Sequence, residues 1–207
     1  MTSSKTMQRA LYEIAQYQGG FFTAAQALAV GYAYPEQSYH VKQGNWQREA
    51  RGVFRLALYP TGMHDDIIVL SLQTMNRTGE MQGVISYETA LSLHEISDAN
   101  PRRIHLTLPP GYRKQLPSIA YPHTGIVPPE DYEEWDGFRV TTPLRTILDV
   151  AASPVSWVFA PDAVRDALRM GMVLRDELSD AIENRPENVR KWIMQGIEDY
   201  LRRRASA

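Results

Sequence analysis

Apolar residues recur at three- and four-residue spacing through Met7, Leu11, Ile14 and Ala15. That stripe predicts an amphipathic helix over 7–18, ended by Gly19-Gly20. Thr23, with Gln26 three positions on, carries the signature of a capping box and opens a second short helix over 24–30, stopped by Gly31. Pro35 suits the first turn of a third helix over 36–43, ended by Gly44. The runs Trp46–Ala50 and Val53–Leu58 then pair as a hairpin over Arg51-Gly52, and Pro60 closes the unit.

Beyond the linker Thr61-Gly62 the pattern is mixed. Helices are expected over 65–76, 86–93 with Ser86 as cap, and 142–152, where Thr142-Pro143 supplies a cap followed by proline. Further helices are expected near 161–170, 175–184 and 187–204. The last carries Val189, Trp192, Ile193, Ile197, Tyr200 and Leu201 on one face. Strands are expected over 103–108 and near 118–121 and 137–140. The fold class is therefore α+β: an N-terminal winged helix-turn-helix over residues 1–60, followed by a mixed α/β C-terminal domain over 64–207.

The element order gives the first part its candidate chemistry. In a winged helix-turn-helix the third helix enters the major groove, the second braces it, and the hairpin wing lies near the backbone or minor groove. Glu36, Gln37, Ser38, Tyr39, Lys42 and Gln43 fall on or near the presumed outward face, with Val41 inward. Glutamine pairs with adenine, and lysine reaches guanine or phosphate. His40 is evenly divided between packing and donation to phosphate. Arg51 at the wing tip is a phosphate candidate, with Arg48 and Arg55 beside it on the strands. The plain alternative is that all of these are solvated surface residues.

Composition changes the picture in two places. The 207 residues include no cysteine, which removes disulfides, thiolate zinc sites and a cysteine nucleophile. The net charge of −2 argues against nucleic acid until it is divided: residues 1–60 hold six basic and three acidic side chains, the remainder sixteen and twenty-one. No apolar run approaches the roughly 18 residues of a membrane span. The N-terminal MTSSKTMQRALYEIAQ lacks the apolar core of a signal peptide, so a cytoplasmic protein is expected.

Three segments together resemble the AbiEi family of type IV toxin–antitoxin (abortive infection) antitoxins. They are GGFFTAAQALAVGY with SYHVKQGNWQREARGVFRLALYP, then ISYETALSLHEISDANPRRIHLTLP, then RVTTPLRTILDVA. They cover about half the chain in the family order; the stretch after Ala152 is less distinctive. The resemblance implies a non-enzymatic autorepressor whose winged helix binds an inverted repeat upstream of its own operon. It further implies a C-terminal domain that neutralises a nucleotidyltransferase-like toxin, and no cofactor; two molecules self-associating on the DNA, or two sites filled cooperatively, would read the inverted repeat. Gln37 departs from the family's apolar residue, which either adds a base contact or loosens packing. Arg145 is placed to pair with Asp149 at i,i+4 and is also a candidate for the toxin contact.

Enzyme readings have less support. There is no G-x-S-x-G and no glycine followed by lysine, so neither a nucleophile elbow nor a P-loop is present. The five histidines show no H-x-x-x-H spacing, so no metal site is expected. A PD-(D/E)-x-K nuclease needs an acid two residues before a lysine, and Lys5, Lys42, Lys114 and Lys191 all lack one. A ligand-responsive one-component regulator remains as the alternative to the antitoxin.

Overall fold

The computed structural model describes residues 4–206. The chain divides into two compact units. The first runs through Val84 and takes in Gly111–Pro117 and Glu134–Arg139; the second comprises Ile85–Pro110, Ser118–Glu133 and the chain from Val140 on.

The first unit begins with α1 (Ser4–Gln16), β1 (Phe21–Thr23), α2 (Ala24–Ala29), α3 (Tyr34–Lys42), β2 (Trp46–Ala50) and β3 (Val53–Leu56). The three strands form an antiparallel sheet in the order β1-β3-β2. Together with the three helices this is the arrangement of a winged helix-turn-helix. The expected capping box is present: Thr23 Oγ1 accepts from Gln26 N at 3.1 Å, and Gln26 Oε1 accepts from Thr23 N at 2.8 Å. Strand β1 was not expected. Its two phenylalanines are fully buried, and three residues are too few to show a period. Leu11, Ala15, Phe22, Ala27, Tyr32, Trp46 and Phe54 form the core under the helices and wing. Helix α4 (Asp65–Gln73) also lies in this unit.

Strands β4 (Val84–Ile85), β5 (Ile104–Leu108), β6 (Ala120–Thr124), β7 (Tyr132–Trp135) and β8 (Phe138–Thr141) form a second sheet in the order β6-β5-β4-β8-β7. The pairs β5–β6 and β4–β8 are parallel. Strands β4 and β7 are additional to the expected set. The helices α5 (Tyr87–Leu93), α6 (Pro143–Ala152), α7 (Ala160–Met170), α8 (Arg175–Ile182) and α9 (Glu187–Ala205) bury Leu91, Ile147, Val164, Leu178 and Ile193 in one apolar core. Thr142 caps α6 as expected, accepting from Arg145 N at 3.2 Å. Ser86 stands at the start of α5 without a side-chain cap bond; its Oγ accepts from Thr107 Oγ1 at 2.9 Å instead. His94, the buried C-cap residue of α5, bonds through Nε2 to Thr141 O at 2.7 Å and serves the packing.

On the second sheet His105 and His123 meet, Nδ1 to Nε2, at 3.2 Å. Tyr87 stacks on His123 with ring centres 3.7 Å apart, and Tyr121 stacks on His105 at 4.5 Å. Burial, then the neighbouring His105, brings His123 from 6.5 down to about 4; burial lowers His105 against the opposing pull of Glu88. A histidine pKa depressed by folding contributes stability above its unfolded value, and that contribution disappears as pH falls through the folded value. The second unit should therefore lose stability between pH 6.5 and about 4. With allowance for partial exposure, the loss is on the order of 2 kcal/mol. His123→Phe keeps the ring stack and should flatten this part of a urea-unfolding profile. An unchanged slope would place the acid sensitivity elsewhere.

Candidate nucleic-acid interface

Helix α3 turns one face outward and one inward. Pro35, Ser38, Tyr39 and Lys42 lie at i, i+3, i+4 and i+7 and are all exposed, with Tyr39 at 58%. Gln43, the C-cap residue, is exposed beside them. Glu36 is exposed as well, but its Oε2 accepts from Ala33 N at 2.8 Å and completes the start of the helix. Its carboxylate is thus committed to the backbone, and it is the one candidate of the wrong sign for phosphate.

Gln37 requires a correction. It is 3% exposed, on the inner face of α3, where it cannot reach a base. Its Nε2 donates to Ala24 O at 3.1 Å and to Tyr32 O at 2.9 Å. A buried amide that donates to one buried and one partly buried carbonyl is a favourable exchange, whereas an apolar side chain would leave both without this donor. His40 is also largely packing. It stacks on Trp46 with ring centres 4.7 Å apart, and Asn45 Nδ2 donates to its Nδ1 at 3.1 Å.

The wing supplies two exposed cations. Ala50 pairs with Val53 across the turn, and Gly52 takes φ +74, the left-handed conformation that the two-residue turn needs. Arg51 is exposed at that tip. Arg48 is exposed on β2 with its guanidinium 5.0 Å from the Phe54 ring centre. Arg55 differs: it is held by Glu49 at 3.2 Å, Asp65 at 3.4 Å and Gln47 at 2.8 Å. Lys42, Arg48 and Arg51 carry no ion pair among the described residues. The structure thus brings Ser38, Tyr39, Lys42, Gln43, Arg48 and Arg51 to the surface of α3 and the wing, and withdraws Gln37.

In the second unit Arg145 bonds Asp149 at 2.8 Å and Asp131 at 2.6 Å, and donates to Ile126 O at 3.3 Å. The pairing with Asp149 is the expected one. With its side chain only 20% exposed and its donors engaged internally, Arg145 ties α6 to the loop before β7. No group of three or more histidines and acids among the described residues is placed to hold a metal, and no described helix is long and apolar enough to cross a membrane.

Residues 82–195, more than half of the chain, match the family model of the AbiEi antitoxin C-terminal domain. The chain belongs to the AbiEi antitoxin family. It is therefore an antitoxin of a toxin–antitoxin system, with a toxin as its partner, in a family that is regulatory rather than catalytic. Its fold is similar to the crystal structure of the RV2827C protein from Mycobacterium tuberculosis: TM-score 0.58, 14% identity, over 93% of this chain and 77% of that one. Among curated proteins nothing matches it.

In this antitoxin two features of the α3 surface were not evident from sequence. Tyr34 begins α3 and is 62% exposed, although the proline signal put the helix start two residues later. Asn45 fixes the His40 ring from the loop after α3, and no local pattern announces that contact. Gln37→Ala should lower stability by about 2 kcal/mol, from two carbonyls losing their donor and a small cavity. Urea unfolding measures this, and an unchanged midpoint would mean that the amide does not lock α3 against α2.

Proposed function

We propose that this antitoxin is also a sequence-specific DNA-binding autorepressor that reads an inverted repeat upstream of its own operon. The observation that carries this reading is the set of three unpaired cations, Lys42, Arg48 and Arg51, on the exposed side of a winged helix-turn-helix. Of the other basic side chains of these elements, Arg55 is occupied by Glu49, Asp65 and Gln47, and Arg9 of α1 by Glu13 at 2.9 Å, while Lys5 lies in the first turn of α1, on neither α3 nor the wing. Free cations neutralise phosphates and release counterions. Ser38, Tyr39 and Gln43 are exposed on α3 and at its C-cap with hydrogen-bonding groups for base edges or phosphate, and Lys42 serves either. Two copies bind the two half-sites and self-associate on the DNA. The toxin countered by the second unit is a nucleotidyltransferase-like enzyme of a type IV system, and both act in the cytoplasm.

The decisive experiment is a gel-shift titration of the whole chain on its own upstream region against scrambled DNA, at two salt concentrations. Selective binding that weakens steeply with salt is expected; equal binding to both DNAs would remove the regulator reading. Arg51→Ala should weaken all sequences alike and reduce the log–log salt slope by about one. Gln43→Ala should instead alter the ranking of operator variants, by about 1–3 kcal/mol at one position. Uniform weakening by Gln43→Ala would assign that residue to the backbone.

A further inference from the structure

Helices α7 and α9 pack tightly at Gly196, where a Cβ would stand 2.6 Å from both Pro161 O and Val164 Cβ. Beyond that crossing, toward the C-terminal ends of both helices, lies a cleft of 620 Å³. It is lined by Arg165, Asp166, Arg169, Tyr200, Arg203 and Arg204. Four guanidiniums share it with one lining carboxylate. Arg165 is committed, bridging Asp162 and Asp166, the latter at 2.9 Å. Arg169 reaches the same Asp166 at 3.5 Å and remains largely exposed. Arg204 has only the Tyr200 hydroxyl, at 3.4 Å, and Arg203 has no ion pair among the described residues. A cation in the last turn of each helix is explained by the helix dipole. It applies to Arg169 in α7 and to Arg203 and Arg204 in α9 each on its own helix, but not to the convergence of both helices' cations on one concavity, where like charges repel.

We propose that this cleft binds a compact oligophosphate, the triphosphate group of a nucleotide or its inorganic counterpart. Guanidinium forks match phosphate oxygens, and a triphosphate brings several negative charges into a volume where separate carboxylates would need several side chains. The cleft lies within the roughly 300–1,000 Å³ typical of small-molecule sites. Asp166 holds Arg165 and Arg169 at one wall, Arg203 and Arg204 form the other, and the half-buried Tyr200 ring offers a face to a base. Gly196 to Arg204 lie outside the matched residues 82–195, so the α9 wall is not part of the stretch that defines the family. The proposal is independent of operator binding.

The test is calorimetric titration of the full chain with sodium tripolyphosphate, ATP and a deca-glutamate peptide, with circular-dichroism melting of each variant. Saturable tripolyphosphate binding is expected, weakened at least about tenfold by R203E/R204E and by Arg169→Gln and unchanged by Arg51→Ala. Arg169→Gln supplies the readout if the double reversal unfolds α9. Tighter binding of ATP than of tripolyphosphate would add Tyr200 as a base platform, and equal binding would restrict recognition to the phosphates. Absence of saturable binding, or binding indifferent to the cleft substitutions, would overturn the proposal. So would loss of binding in Arg51→Ala, which would put the site on the wing. Tighter binding of deca-glutamate would overturn it in favour of an acidic protein surface.

Discussion

Trp46 sits where α3, the first strand and the wing meet. Its ring meets Phe22 and Tyr32 edge-on at 4.9 and 5.1 Å, stacks on His40 at 4.7 Å, and lies 5.9 Å from Phe54. Four separate segments, β1, the turn before α3, α3 itself and the hairpin, are thereby referred to one buried indole. An aromatic of that size contributes about 2–3 kcal/mol by burial alone, with smaller increments from the edge-on contacts. Its positional consequence matters more. A rigid interior transmits the placement of Trp46 to Lys42 on one side and to Arg48 and Arg51 on the other. The spacing of the three free cations is therefore a property of the aromatic core as much as of the surface.

Gln37 completes that arrangement from the other end of α3. The Gln37 amide donates to the carbonyls of both Ala24 and Tyr32, tying α3 to the start of α2 and to the turn before α3 from one side chain. The polar residue that looked like an extra base contact is the clamp that orients its neighbours. In the second unit Arg145 does comparable work, bridging Asp131 and Asp149 with one guanidinium. In both places a residue of binding-site chemistry is spent on scaffold.

The α7–α9 pair follows a different rule. Gly196 lets two backbones approach to a distance that any side chain would prevent, and the larger residues that follow it keep a concavity open. Close packing and the charged cleft are two results of the same crossing.

Local signals were sufficient for much of this molecule. Thr23 with Gln26, Thr142 with Pro143, and Arg51-Gly52 between two short runs each fix a backbone turn through bonds within a few residues, and the structure keeps all three. The helical stripes likewise need only the neighbouring turns to be legible. Strands β1, β4 and β7 escaped because two to four residues have no period, and they exist only through partners distant in sequence. Which face of α3 looks outward was also beyond the sequence. Glu36, Gln37 and Ser38 are adjacent polar residues, and a single-residue rotation of about 100° decides which is buried. Tertiary packing made that choice through Trp46 and the two carbonyls that accept from Gln37, because only the assembled core determines where an amide can be satisfied.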